Sequence, residues 1–342
     1  DVQLQVLGPR VRQEHVDALH WYVAKSISYV RNREVTTKYT TPTYPIFMRE
    51  CAVTKKDGST DKFYKVYEPL NPDKQWRFSY TPDGVKPKQY INGFAELQKA
   101  YRDFNAQEEK LFFNDPKNKD AQYKEQKLKE AFICSGERDA LCIRALGCHP
   151  LWFNSETYKV APEEIKEIYK YVERIYNIPD IDDTGVRKGT ELALRFLDIY
   201  TIWLPGWLRG YRDQRGKPRK DFRDFVDLRP KQEDFRNLQT LAMPARFWVD
   251  SWSERSRKTI YEVNSAYLHY FLTLNGFYTL KDDNSKDARY IHRNGCIVSE
   301  IKAKDIVAFL KRFTIERYLP VDIRNLILNS PPVSYTHLTL LT

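Results

Sequence analysis

The sequence predicts an α/β protein: a parallel sheet flanked by helices, preceded by a small basic β-rich subdomain and followed by a small α+β module. Three observations carry this. Between residues 129 and 205, short apolar runs alternate with stretches of helical period. Between 47 and 80, β-prone runs are separated by turn-forming residues. Beyond 245, helical and strand-like patterns are mixed. The 342 residues are enough for two or three domains and for a core that needs no disulfides. Changes in pattern divide them into an entry segment (1–44), the β-rich subdomain (45–128), the sheet-and-helix domain (129–228), the α+β module (229–333) and a tail (334–342).

In order along the chain, a helix is expected from His15 to Val30, then an extended Thr/Tyr-rich stretch from Thr36 to Tyr44. The runs MRECAVT and KFYKVYEP flank the turn Lys56-Asp57-Gly58-Ser59, and QWRFSYT lies between Asn71-Pro72-Asp73 and Pro82-Asp83-Gly84. Residues 104–130 read as a loop and a surface helix. AFIC (131–134) reads as a buried strand before the helix RDALCIRALG, and LWFN (151–154) as a second strand. Pro162 opens a helix with Ile165, Ile168, Tyr169 and Val172 on one face. RIYNIPD (174–180) precedes a helix over 185–197, and IYTIWLP (199–205) is a fourth strand. Residues 206–235 read as a basic, irregular connector, its 209–223 part a mobile charged loop rather than a dedicated groove, although the two are compatible. The last module shows a helix near 257–273, a hairpin across Asp282-Asp283-Asn284, and a helix with Ile306, Phe309, Leu310 and Phe313 on one face. SYTHLTLLT reads as a translated adapter sequence, and a start without an initiator methionine is what a fragment would show.

Several classes are excluded by composition. Aromatic residues are 14%, too many for a disordered or collagen-like chain, and no apolar run approaches the ~20 residues a membrane span needs. Five cysteines, with no pair at C-x-x-C spacing, argue against a disulfide framework and a zinc site, and for reduced thiols in a cytoplasm. The charge of +10 and a pI near 9.1 favour a polyanionic partner. No P-loop pattern is present.

Three acidic stretches carry the candidate chemistry: Ser135-Gly136-Glu137-Arg138-Asp139 and Asp180-Ile181-Asp182-Asp183-Thr184-Gly185, each directly after a strand, and Lys220-Asp221-Phe222-Arg223-Asp224 past the fourth. In a doubly wound sheet the ligand site lies beyond the carboxyl ends of the strands. Carboxylates gathered on one rim repel one another unless a cation lies between them, and a hard divalent ion suits oxygen ligands. Each stretch also has an ordinary reading: Glu137 and Asp139 at a helix N-terminus, Asp180–Asp183 as a capped polar turn, Lys220-Asp221 as loop charge. Lys65, Lys74, Arg77, Lys86 and Lys88, interleaved with Tyr64, Tyr67, Trp76, Phe78 and Tyr80, fit either a solvated sheet face over an aromatic core or a row of phosphate contacts. Alternation puts Trp76 and Phe78 on one face and Arg77 on the other.

Strand–GExDAL–helix, strand–DxDDxG–helix and KDxxD in this order resemble the Toprim domain of primases and phage-type primase-helicases. The preceding Tyr64-Lys65-Val66-Tyr67-Glu68-Pro69, Lys74-Gln75-Trp76-Arg77-Phe78, Lys86-Pro87 and Gly93-Phe94-Ala95-Glu96-Leu97 resemble the family's basic subdomain. The likeness covers roughly 45–228. It implies a Toprim-like sheet, DNA primase activity (nucleotidyl transfer), Mg²⁺ or Mn²⁺ on Asp139, Asp180, Asp182 and Asp221, and catalytic roles for Glu137 and Asp182. It also implies contact of Lys65, Lys74, Arg77, Lys86, Lys88 and Lys220 with nucleic acid. The implied partners are a single-stranded DNA template, ribonucleoside triphosphates and a helicase domain in cis or in trans, in the cytoplasm of the bacterial host of a phage or mobile element. One position departs: Ser135 stands where the family has a glutamate, and a hydroxyl neither holds charge nor takes a proton near neutral pH. A catalytically degenerate module that binds single-stranded DNA for an attached helicase is the alternative, and a Toprim nuclease a third reading.

Overall fold

The computed structural model describes residues 2–31, 33–54, 60–81, 90–154, 158–213, 216–280 and 289–329. The chain forms two units: residues 1–189 with 202–241, and residues 190–201 with 242–342.

The first unit begins with α1 (Val2–Gln5) and α2 (Gln13–Ala18), then β1 (Trp21–Val23), β2 (Ser26–Arg31) and β3 (Glu34–Tyr39). The helix expected over 15–30 thus ends at Ala18. His20 takes a positive φ of 57°, and the β-branched and aromatic residues after it form strands. β2 and β3 pair as a two-stranded ribbon. β4 (Phe47–Thr54), β5 (Thr60–Tyr67) and β6 (Phe78–Thr81) complete an antiparallel sheet of order β1-β4-β5-β6. The expected turns at 56–59 and 82–84 lie outside the described residues.

β7 (Ile91–Asn92) and the long helix α3 (Phe94–Asn114) lead into β8 (Leu128–Cys134), α4 (Glu137–Ala145), β9 (Pro150–Phe153), α5 (Pro162–Ile168), β10 (Val172–Ile178) and α6 (Asp183–Arg195). β8 is central, with β10 and β9 parallel on either side and β7 antiparallel beyond β9. β8 and β10 each begin on a buried residue, Leu128 and Val172, open at the next two positions and are buried over their last four, as expected for strands covered on both faces there. Their register pairs Cys134 with Ile178, so the two strands end side by side. This parallel sheet with its helices matches the α/β reading.

Of the fourth expected strand only β11 (Tyr200–Thr201) is regular. The expected connector is ordered: a 3₁₀ helix at Gly206–Gly210, then α7 (Phe222–Leu228) and α8 (Gln232–Thr240). The phenylalanines of these helices explain it. Phe235 packs against Phe132 of β8 at 5.4 Å and against Phe222 at 5.3 Å, so the segment holds a core face despite its charge.

In the second unit β11 pairs with β12 (Met243–Pro244), and β13 (Trp248–Ser253) with β14 (Lys258–Val263). The helix expected at 257–273 is therefore strand until Val263. α9 (Ser265–Leu274) starts behind the cap Asn264, whose side chain accepts from the Tyr267 N–H. β15 (Phe277–Leu280), β16 (Arg289–Asn294) and β17 (Ile297–Ile301) form an antiparallel sheet; the tip of the hairpin at 282–284 lies outside the described residues. α10 (Ala303–Glu316) buries Ile306 and Leu310 and packs Phe309 and Phe313 on the same core, the face expected from its period, and α11 (Val321–Asn329) follows. Among the described residues no helix is long and apolar enough to cross a membrane. All five cysteines are free, four of them buried and Cys296 exposed.

Candidate active site

Because β8 and β10 end in register, the segments after them leave the sheet together. Gly136 caps α4, putting Glu137 and Asp139 in its first turn, where free N–H groups favour carboxylates. After β10 the chain turns through Asp180 and Asp182. The Asp182 carboxylate accepts from the Gly185 N–H at 2.8 Å. A Cβ on Gly185 would lie 2.3 Å from the Asp180 carbonyl oxygen, so only glycine allows this turn. The third stretch is tied to both others: the Ile181 N–H donates to the Lys220 carbonyl at 3.0 Å, and the Arg223 N–H to Asp139 Oδ1 at 2.9 Å.

The three stretches line one cleft of about 790 Å³, with Ser135, Glu137, Asp139, Asp180, Asp182, Lys220 and Asp221 on its wall, and Tyr67, Arg77 and Phe78 from the β-rich part. Asp139 and Asp180 are buried. Burial, then the Asp221 and Asp180 charges, drive the Asp139 carboxyl well above the usual range. Burial and then Asp224 push Asp221 up to about 6, against the pull of Arg138. Asp221 also caps α7, accepting from the Asp224 N–H at 2.8 Å, so the ordinary capping role and a place in the cleft coexist.

Lys220 lies between two of the acids, its ammonium 2.9 Å from Asp180 and 2.5 Å from Asp182. Burial works against its charge, but the two carboxylates outweigh that and raise its pKa above the ordinary lysine value. Burial opposes ionisation of Asp182, yet the hydrogen bonds from Lys220 and the Gly185 backbone hold it below the usual carboxylate range.

Glu137 is held differently. Lys65 forms a buried ion pair with it, and Trp152 Nε1 donates to the same oxygen at 3.1 Å. Desolvation would raise the Glu137 pKa, but Lys65 and these hydrogen bonds bring it below the ordinary value. A carboxylate so satisfied is a poor proton acceptor. Behind it Arg49, wholly buried, stacks on Trp152 at 4.8 Å, pairs with Glu96 at 2.7 Å and donates to Asn92 and to the Leu19 carbonyl. These contacts, with the pairing of β7 and β9, join the β-rich sheet to the parallel one.

Of the residues expected to meet nucleic acid, Lys65 is corrected. It is 4% exposed, lies 4.6 Å from the Phe78 ring and is committed to Glu137, so it presents no charge to a phosphate. Its neighbours two positions away, Phe63 and Tyr67, are buried, and a lysine in register with them belongs to the inner face. Trp76 corrects the aromatic-core reading, being 56% exposed. Arg77 lines the cleft and donates to the Asn71 carbonyl at 3.0 Å. Lys74 opens a one-turn 3₁₀ helix, and Lys86 and Lys88 lie outside the described residues. Arg138, Arg209, Lys217, Arg219, Arg223 and Asp224 also line the cleft. Arg138, Arg223 and Asp224 lie within the acidic stretches, and Arg209, Lys217 and Arg219 within the basic 209–223 segment, but sequence reasoning assigned none of them a place in the site.

The donor set suits a hard divalent cation in kind: carboxylate oxygens, with Asp180 Oδ1 buried and lacking any hydrogen-bond donor among the described residues. Among the same residues, however, no three His, Cys, Asp or Glu side chains are grouped closely enough to hold one ion. The Lys220 ammonium stands in for a cation between Asp180 and Asp182.

No protein-family model and no curated protein matches this sequence. Among solved structures, the chain is similar to the Escherichia coli primase catalytic core, with a TM-score of 0.48 at 12% identity over 95% of this chain and 89% of that one. It is similar to a DNA primase domain from Pseudomonas aeruginosa, with a TM-score of 0.44 at 12% identity over 93% and 77%. It is also similar to a DnaG primase catalytic domain bound to ssDNA, with a TM-score of 0.44 at 12% identity over 71% and 73%.

Proposed function

We propose that this chain is the Toprim-type primase part of a phage or mobile-element replication protein, joining ribonucleotides on a single-stranded DNA template in the bacterial cytoplasm, with a helicase domain acting in cis or in trans. The observation that carries this is the convergence of acids from three separate stretches on one cleft that also bears Arg77, Arg138, Lys220 and Arg223. Asp139, Asp180, Asp182 and Asp221 are the residues from which Mg²⁺ or Mn²⁺ would draw its ligands, no three of them being close enough to hold one ion as the cleft stands. Such an ion supplies a Lewis acid for the reacting phosphate and offsets its charge. The chain's own part is positioning. Lys220, half-exposed between two carboxylates, is able to turn toward a triphosphate, and Arg138 and Arg77 offer further donors at the wall. Primer synthesis from ribonucleoside triphosphates on single-stranded DNA, lost in Asp182→Asn, is the expected result. Its absence from the unaltered chain at every Mg²⁺ or Mn²⁺ level sinks the reading.

Ser135 and the committed state of Glu137 favour a second reading, a degenerate centre that binds single-stranded DNA for a helicase. Salt-sensitive DNA binding without synthesis is its signature.

A further inference from the structure

Between the second and third acidic stretches the chain makes an arm whose features the carboxylate site does not use. After Pro205 the 3₁₀ helix Gly206–Gly210 buries Leu208 completely and leaves Trp207 43% and Tyr211 52% exposed. The two rings stand edge to face, 5.8 Å apart. Behind them Trp207 is backed by Phe225 at 6.3 Å and by the Arg229 guanidinium at 5.7 Å. Residues 211–213 then pair with residues 217–219. The Arg219 N–H donates to the Tyr211 carbonyl at 3.0 Å, the Asp213 N–H to the Lys217 carbonyl at 2.8 Å, and Arg212 bridges Pro218. The arm is therefore held by backbone hydrogen bonds, with its rings already in place.

Its described cations fall into two groups. Arg219 is committed to Asp227 at 2.5 Å, and Arg209 donates to the Ile181 carbonyl near Asp183. Arg212 and Lys217 are exposed, and although the Lys217 N–H donates to the Asp213 carboxylate at 2.8 Å, no ion pair holds either cationic side chain among the described residues. Arg209, Lys217 and Arg219 line the cleft, whereas Trp207 and Tyr211 lie beyond its wall. Uncommitted positive charge thus leads from the cleft to a pair of open rings. A ligand matching this has phosphates at intervals and a π-face at intervals, which describes a single nucleic-acid strand better than a lone nucleotide.

We propose that residues 206–213 and 216–219 hold a single strand of nucleic acid outside the cleft, with bases stacking on Trp207 and Tyr211 and phosphates on Arg212 and Lys217. This deepens the nucleotidyl-transfer reading, and rests on it only for what the strand does once inside the cleft. Template DNA and newly made RNA share this chemistry, and the experiment separates them.

The test is fluorescence anisotropy of labelled oligo-deoxythymidine and oligo-uridine of equal length, titrated with the full chain across a salt series. Tyr211→Ala and Trp207→Ala are each expected to weaken binding about 5- to 150-fold, the usual worth of one stacked base, and Phe at either position to restore most of it. Arg212→Ala and Lys217→Ala are each expected to flatten the log affinity against log salt slope by about 0.7, as for one lost phosphate contact. A preference for the deoxy strand assigns the arm to template, a preference for the ribo strand to product. Unchanged affinity in Tyr211→Ala together with unchanged slopes in both cation variants overturns the proposal. So does a change of oligomeric state in Tyr211→Ala with strand binding intact, which would give the rings to a second copy of the chain. Should Trp207→Ala fail to fold, Tyr211→Ala decides, because that ring is half-exposed. Primer synthesis is measured separately. An inactive chain whose strand binding falls in Tyr211→Ala keeps the arm and loses the polymerase, and an active chain with unaltered binding does the reverse.

Discussion

Lys65 meets Glu137 with the two side chains 4% and 6% exposed, whereas Lys220 meets Asp182 with the two side chains 40% and 41% exposed. The chemistry of the two contacts is the same, and both carboxylates belong to the wall of one cleft. Burial separates them. Out of water, Lys65 and Glu137 have only neutral partners besides each other, Asn154 and Trp152, so each keeps the other charged and fixed. At the wetter site, water and small ions compete for both groups, and the pair is worth little and easily exchanged. The first pair is thus suited to hold the β-rich sheet against the parallel one, and the second to let a substrate or a metal replace the lysine.

The largest effect should come from unpairing the inner contact. Lys65→Met leaves Glu137 buried without its cation, and Glu137→Gln leaves Lys65 without its anion. Removal of one partner of a buried pair costs about 3–5 kcal/mol, and chemical denaturation of each variant should show it. The double variant Lys65→Met with Glu137→Gln should recover part of the loss, since no uncompensated charge remains. If both single variants are as stable as the parent chain, the two contacts do not differ in kind and the comparison fails.

Gly185→Ala ranks next. The added methyl would fall within 2.3 Å of the Asp180 carbonyl oxygen and 2.6 Å of its Cβ, so the turn that sets Asp180 and Asp182 must open. A loss of roughly 1–3 kcal/mol in stability is expected, with cleft activity falling further than stability explains. An unaltered melting curve would mean that the turn tolerates a side chain.

Much of this was legible in the sequence, and the parts that were not have physical causes. The runs AFIC and RIYNIPD announced two buried strands because parallel strands covered on both faces lose the polar alternation that marks open sheets. The acids were legible because each stretch follows a strand or sits by a helix start. The error at Lys65 came from treating a cation as a surface group, although its neighbours Phe63 and Tyr67 lie on its own face and are buried. The helix expected from His15 to Val30 failed because the period was read through a run of strand-favouring residues that ends up in β1 and β2. The connector at 206–235 looked irregular because arginine, lysine and aspartate masked Phe222, Phe225 and Phe235, which bury their rings beneath the charge. No local pattern could show that Lys220 would sit between Asp180 and Asp182, since that depends on how three distant stretches meet.

The exchangeable pair makes two further expectations. Lys220→Met should cost less stability than Lys65→Met, because Lys220 and Asp182 are half in water although Asp180 is buried, while primer synthesis drops. Added Mg²⁺ should raise the melting temperature of the Lys220→Met chain more than that of the parent. With the ammonium gone, Asp180 and Asp182 lose the cation that offsets them and gain room for another. Equal shifts in the two chains would show that the ion binds elsewhere.

The smallest effect is expected one residue further along. Asp183 follows Asp182 directly and lines the same cleft, but its side chain is fully exposed, and its cationic neighbour, Arg209, is 3.9 Å away. A carboxylate so placed is already solvated and shares its charge with bulk water, so Asp183→Asn should leave the unfolding curve of the parent unchanged. Primer synthesis should persist, in contrast to Asp182→Asn, although the two substitutions remove the same charge from adjacent positions. That contrast isolates geometry from charge: Asp182 is fixed by the Gly185 N–H and faces Lys220, and Asp183 has no such hold. If both variants lose activity alike, the cleft responds to its total negative charge rather than to placed oxygens, and the distinction between fixed and exchangeable carboxylates would have to be withdrawn for this stretch.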